Sequence, residues 1–129
     1  AYDSVVDLAV VRLVDLAGSP TRATGRNPIE VTNRELGLGD EIKVLGYPGL
    51  GGETITLSGG EISGRLDEFY KSSARTGPGV SGGAAFDAIT GDYVGTPTAG
   101  TSFDVGEAHL LIRPSMYALA LLQAAQRAD

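Results

Sequence analysis

The sequence predicts an all-β fold, a barrel or a sandwich, finished by one helix near the C-terminal end. Three observations predict it. Glycine supplies 19 of 129 residues, close to double the share of ~7% usual in proteins. Those glycines separate short runs of Val, Ile, Leu and Thr, as tight turns separate strands. Only the stretch after Pro114 carries apolar residues at helical spacing. Hydrophobic residues form 42% of the chain, which argues against disorder.

The length suits one domain with a single core. Its expected divisions are residues 1–14, a strand reaching toward a missing lobe; residues 15–113, the barrel; and residues 114–129, the helix. The formal charge of −6, from 10 Lys plus Arg against 16 Asp plus Glu, argues against a nucleic-acid or anionic-membrane surface. No cysteine is present, so disulfides, Cys-ligated zinc and a thiol nucleophile are excluded. With one histidine a zinc site is not expected, and the reading includes no metal and no cofactor. The chain opens at Ala1 without Met or a leader, so a processed or excerpted polypeptide is expected.

Taking the elements in order, Val5 to Val14 reads Val-Val-Asp-Leu-Ala-Val-Val-Arg-Leu-Val. Apolar residues occupy both alternating faces, so a strand covered on two sides is expected, by a missing partner, since nothing upstream in the sequence supplies the second cover, or alternatively as a central strand of the domain's own sheet. Residues 18–40 read as a connector rich in Gly, Pro and Asn, with a short strand at Ile29 and Val31. Glu41 to Tyr47 alternates as a strand with Ile42, Val44 and Gly46 on one face, stopped by Pro48 and the glycines at 49, 51 and 52. From Thr54 the apolar positions are odd (Ile55, Leu57), then even at Ile62; a one-residue bulge at Gly59-Gly60 would account for the change of phase. Strands are expected at Glu68 to Ser73, Ala84 to Phe86, Tyr93 to Thr96 and Leu110 to Ile112, with a hairpin loop at Asp87 to Asp92. Ser115 is the expected cap of a helix over Met116 to Arg127, whose Ala118, Leu119, Leu122 and Ala125 form the packed stripe.

Residues 77–83, Gly-Pro-Gly-Val-Ser-Gly-Gly, carry the chemistry. A serine hydroxyl needs a base within hydrogen-bond reach to act as a nucleophile. An acyl-transfer intermediate also needs donors aimed at its oxyanion. A Gly-x-Ser-Gly-Gly turn can supply those donors from backbone, through the N–H groups of Gly79 and Ser81. The alternative is a tight β-turn with an incidental serine.

Four stretches together resemble the C-terminal lobe of a trypsin-fold serine protease, nearest the cysteine-free bacterial HtrA-like branch. They are Asp7 to Leu13, Gly39 to Pro48, Ser58 to Arg65, and Gly77 to Gly83 followed by Ala84-Ala85-Phe86. The resemblance implies a six-stranded Greek-key barrel with a C-terminal helix. It also implies Ser81 as nucleophile, Gly79 and Ser81 as oxyanion donors, and Asp7 as the carboxylate that orients a histidine. Val80 departs from the polar residue often found before the serine, so activation by a charge pair there is not expected. The family's histidine precedes its aspartate, whereas the one histidine here is His109, expected in a pocket wall or at the surface.

The implied function is peptide-bond hydrolysis by a lobe inactive alone, with a polypeptide substrate and a missing N-terminal lobe as partners, outside the cytoplasm. Arg75, Thr98, Gly100 and His109 fall where the resemblance places the substrate pocket, and a cation at Arg75 would favour an acidic side chain. Self-association of the isolated chain is expected through its uncovered strand. Two rival readings are a protease-derived peptide- or partner-binding module without catalysis, and a small-molecule acyl hydrolase.

Overall fold

The computed structural model describes residues 2–21, 29–47, 54–75, 77–102 and 108–128. A two-stranded hairpin comes first, β1 (Tyr2–Asp3) against β2 (Leu8–Ala9). Six strands follow: β3 (Glu41–Gly46), β4 (Thr56–Leu66), β5 (Phe69–Ser72), β6 (Ala84–Asp87), β7 (Tyr93–Ser102) and β8 (Ala108–Pro114). They close into an antiparallel barrel in the order β3-β4-β5-β8-β7-β6. Because β6 closes on β3, the run β6-β3-β4-β5 has the 4-1-2-3 order of a Greek key. Helix α1 (Ser115–Arg127) follows β8 without a break.

Strand alternation fills the barrel as the sequence pattern requires. Ile42, Val44 and Gly46 of β3 face inward, with Ile62, Tyr70, Ala85, Val94, Leu110 and Ile112 from the other five strands. Ile112 and Ala85 are wholly buried. Tyr70 reaches across the core, and its hydroxyl oxygen accepts the N–H of Leu36 at 3.0 Å. The connector thereby becomes part of the barrel, and Val31 adds a parallel bridge to Tyr93.

Three expectations are corrected. Within the predicted strand Val5 to Val14 only Leu8–Ala9 forms a strand among the described residues, and Val14 adds an isolated antiparallel bridge to Pro20. The Asp3 carboxylate accepts the N–H groups of Val5 and Val6 at 2.9 and 3.0 Å, and that local bond turns the chain at Ser4 to Asp7 before a longer strand can run. No bulge occurs at Gly59-Gly60, since β4 pairs with β3 without interruption from Glu61 to Thr56. Ile55 and Leu57 lie outside the barrel, so no change of phase was needed; the inward place at Gly60 is filled by Ala74, whose backbone N would stand 2.4 Å from a β-carbon there. The register shift on β4 falls instead between Ile62 and Gly64, facing β5. Ser115 is not the cap: Pro114 holds that place with no side-chain bond, and Ser115 is the first helical residue, its hydroxyl donating to the Thr32 carbonyl at 2.6 Å. The predicted stop at Pro48 to Gly52 and the connector's Asn27-Pro28 lie outside the described residues.

Two charged clusters tie the outer elements down. Arg34 donates to Asp40 at 3.0 Å and to Asp87 at 2.7 Å, joining the turn before β3 to the β6–β7 hairpin. Burial opposes ionisation of Asp87, but the N–H groups of Ile89 and Thr90 and the Arg34 guanidinium outweigh it, holding the carboxyl below its usual range. The Gly37 N–H, then Arg34, lowers Asp40 in the same direction. On the far side Arg113, almost buried, lies between the rings of Phe69 (4.5 Å) and Tyr117 (5.5 Å), with Glu68 at 3.7 Å. That stack fixes α1 to the β4–β5 hairpin.

Two outcomes are expected. Tyr70→Phe leaves the buried Leu36 N–H without an acceptor and should cost about 1–3 kcal/mol in urea unfolding; an unchanged midpoint would show that the connector is not held there. Because both carboxyls are depressed in the folded state, their contribution is complete above the unfolded value of about 3.9 and is lost as pH falls through the lower folded values. Arg34→Met should therefore flatten the acid side of the stability profile, read from urea midpoints between pH 7 and 3.

Candidate active site

The turn before β6 is built around one apolar side chain. Val80 is 6% exposed and belongs to the core cluster with Val44 and Ala85. With Val80 turned inward, its neighbour Ser81 faces solvent. The chain reaches this geometry through Pro78-Gly79: the Val80 N–H closes on the Gly77 carbonyl at 3.2 Å, and Gly79 has φ +94°. Proline at the second position and a positive φ at the third define a type II turn, since the primed turns need a positive φ where proline cannot supply it. Gly79 is therefore required as glycine.

Hydrogen bonds clamp this turn on both sides. The Tyr47 N–H donates to the Gly79 carbonyl at 3.1 Å, tying it to the end of β3. The Gly82 N–H donates to the Pro97 carbonyl at 2.9 Å, tying it to β7, and the Gly83 N–H closes on the Val80 carbonyl at 3.0 Å. From Pro78 to Gly83, the N–H groups of Gly79 and Ser81 are the two with no acceptor among the described residues. Space is as tight as the bonding: a β-carbon on Gly83 would stand 2.1 Å from the Leu45 carbonyl oxygen.

The residues singled out from sequence are only partly brought together. The Ser81 hydroxyl donates to the Thr98 carbonyl, so these two meet. Gly100 lies further along β7, opposite Leu110. His109, on β8, stands opposite Thr101 of β7, half-buried, and its Nδ1 is buried without a partner among the described residues. Thr98 and Thr101 are three positions apart on β7, roughly 10 Å of strand, and no hydrogen bond joins His109 to Ser81. Arg75 is exposed and forms no ion pair among the described residues. Asp7, read from sequence as lying within an apolar strand, instead ends the β1–β2 turn with φ +57°, exposed and without a partner among the described residues. Sequence reasoning missed Val80 as the anchor of the site; the signal available was an apolar residue alone in a glycine-rich turn.

One further feature adjoins Ser81. Strand β7 pairs with β8 from Gly95 to Ser102, with a register shift between Pro97 and Ala99, but its pairing with β6 stops at Gly95. Beyond the Gly82 bond to Pro97 and the Ser81 hydroxyl bond to the Thr98 carbonyl, no backbone pairing continues on the β6 side of the strand among the described residues.

A family model described as a trypsin-like peptidase domain matches residues 1–95. The chain belongs to the trypsin-like peptidase family. Its structural neighbours are HtrA-type serine proteases. A serine endoprotease from Yersinia pestis superposes with a TM-score of 0.67 at 26% identity, over 84% of this chain and 39% of that one. The HtrA-type protease AlgW, solved with a decapeptide, gives 0.63 at 29% identity, over 74% of this chain and 32% of that one. AlgW with a tripeptide gives 0.66 at 27% identity, over 81% and 38%. The chain thus spans about a third to two fifths of the solved chains it matches. No curated protein matches it. For a trypsin-like peptidase lobe, the six-stranded barrel and its C-terminal helix are the architecture expected from sequence.

Gly83→Ala should destabilise the lobe by about 1–3 kcal/mol or more, since strand backbone, not a movable side chain, occupies the space. Urea midpoints of the two proteins measure it. An unchanged midpoint would mean that the turn does not sit against β3.

Proposed function

We propose that this chain is the nucleophile-bearing lobe of a serine endopeptidase. One observation carries the proposal: within a tightly bonded turn, the two N–H groups left without an acceptor among the described residues are those of Gly79 and Ser81, beside the Ser81 hydroxyl. Such a pair suits the oxyanion of an acyl-transfer intermediate. In this reading Ser81 Oγ bonds to the carbonyl carbon of the substrate while its proton passes to a base. The C–N bond then breaks and the base returns the proton to the leaving amine, leaving an acyl-serine for water to hydrolyse.

The base is a histidine from outside this chain. His109, the one histidine in the sequence, lies on a different strand position without a bond to Ser81. A second lobe would supply that histidine, and Asp7 would orient it. Docking of that lobe would draw the Ser81 hydroxyl away from the Thr98 carbonyl. An apolar surface is available to receive it. Val11, Leu13, Val14 and Leu16 are exposed, beside a groove of about 540 Å³ between Val10 to Arg12 and the last turns of α1.

The substrate is a polypeptide. The unpaired side of β7 next to Ser81 can accept an extended chain as an added strand, with main-chain hydrogen bonds supplying affinity. AlgW was solved with peptides of ten and three residues, which agrees with this substrate class. Arg75, Thr98, Gly100 and His109 remain the proposed pocket, with Arg75 favouring an acidic side chain.

A second reading, a peptide-binding module without catalysis, is favoured by one contact: the Ser81 hydroxyl is turned to a carbonyl and not to a base.

Intact mass after fluorophosphonate treatment separates the two. Labelling at Ser81 is expected in the longest product of the gene, absent from this chain alone and absent from Ser81→Ala. No labelling in the longest product would leave the binding module. The apolar surface predicts concentration-dependent self-association of this chain by sedimentation; a monomer at high concentration would remove that surface as an interface.

A further inference from the structure

We infer that the outer wall of β3 and β4 is a docking surface for an amphipathic helix of another polypeptide, one carrying an arginine at the end of its apolar stripe. Ile42, Val44 and Ile62 fill the core, so by alternation Leu45, Tyr47, Ile55 and Leu57 share the outer face. Leu45 stands directly opposite Leu57, and Tyr47 and Ile55 lie one residue beyond the last pair, Gly46 and Thr56. Tyr47, Ile55 and Leu57 are 60%, 57% and 59% exposed. Across the barrel, the outward apolar side chains of β5 and β8 are covered within the chain: Phe69 lies under Arg113, and Leu111 is 6% exposed. A contiguous apolar strip left open on one wall marks an interaction surface.

The strip belongs to the flat of the sheet and not to its edge, so a partner meets side chains there. A lone strand laid on it would leave its own N–H and C=O groups unpaired, whereas a helix satisfies them internally. From position 41 to 47 the strip runs roughly 20 Å, the length of about 13 helical residues. Charge selects among helices. At the far end of the strip Glu41 stands directly opposite Glu61. Both are exposed, and neither forms an ion pair among the described residues. Like charges so placed repel. They border a groove of about 380 Å³, lined also by Gly59 and Gly60, which bring no side chains into it. One guanidinium can bond to both carboxylates.

A second copy fits this wall less well, because it brings the same two carboxylates on a chain of formal charge −6. The lobe proposed above meets the opposite wall. In the ring β3-β4-β5-β8-β7-β6, β8 and β7 lie three places from β3 and β4, and α1 packs on β7, β8 and β2. The two apolar surfaces are therefore separate, and this one stands whether or not Ser81 is a nucleophile.

The test uses the longest gene product. Its probe is a fluorescein-labelled peptide of about 14 residues, built from Leu, Ala and Gln as an amphipathic helix with one arginine in its last turn. Anisotropy should show saturable binding. Exchanging the peptide's arginine for glutamate should weaken it roughly 10-fold at about 50 mM salt, and less at about 500 mM. Leu57→Gln and, separately, Ile55→Gln should each weaken binding about 10-fold. Their urea midpoints should stay as in the wild type, because both side chains face solvent. Glu41→Gln combined with Glu61→Gln should remove the preference for arginine and leave the affinity of an all-Gln peptide unchanged. Unchanged binding in Leu57→Gln and Ile55→Gln overturns the surface. Equal affinity for the arginine and glutamate peptides overturns the partner's chemistry. A longest product that binds neither peptide overturns the proposal outright. Self-association in sedimentation that Leu57→Gln abolishes gives the wall to a second copy and overturns the helix.

Discussion

The site depends on a seam. To close the barrel, β6 must lie against β3, and the residues just before β6 must pass the end of β3 at backbone distance. At Gly83 a β-carbon would stand 2.1 Å from the Leu45 carbonyl oxygen, and at Gly46 one would press to 3.1 Å on the Val80 Cα, so the passage requires glycine at the first and is tight at the second. Once made, it leaves one inward place, taken by Val80, and one outward place, taken by Ser81. Closure of the core and presentation of the serine are thus the same event. A barrel that failed to close would scatter the turn, and a displaced turn would open the barrel between β3 and β6.

Much of this was legible in the residues. The alternation in Glu41 to Gly46 is borne out position by position, and the β6–β7 hairpin turns at Gly91 with φ +77° as its sequence suggests. The helix is displaced by a single residue. What escaped sequence reasoning has a common cause, the assumption that an apolar residue on a strand points to the core. Leu57 and Ile55 point out, and an inward place on β4 belongs to Gly60 because Ala74 is already there. A pattern read along one strand does not reveal which neighbour fills the space opposite. Val5 to Val14 failed for a related reason, since a carboxylate two residues upstream offers the backbone a nearer partner than any strand.

The serine turn itself was readable as a motif, yet its support was not. Glycines announced a special backbone, but the residue that seats it is the one without any chemistry. Val80 looked like a departure from pattern; in the structure it is the member of the turn most deeply placed. Conversely Asp7, which the family resemblance gives as the carboxylate that orients a histidine, occupies an exposed left-handed turn position, where Asp is among the residues that tolerate the backbone.

The open side of β7 has a bearing on how such a lobe could be handled. Main-chain recognition does not distinguish a substrate from another copy of the same chain, because both offer the same N–H and C=O groups. Solubility and peptide affinity are therefore coupled through one row of backbone atoms. A proline placed there to discourage stacking between copies would also remove a rung of the ladder for any guest strand. Selectivity has to come from side chains beyond that row, so the choice of partner is made at the rim of the barrel while the grip is generic.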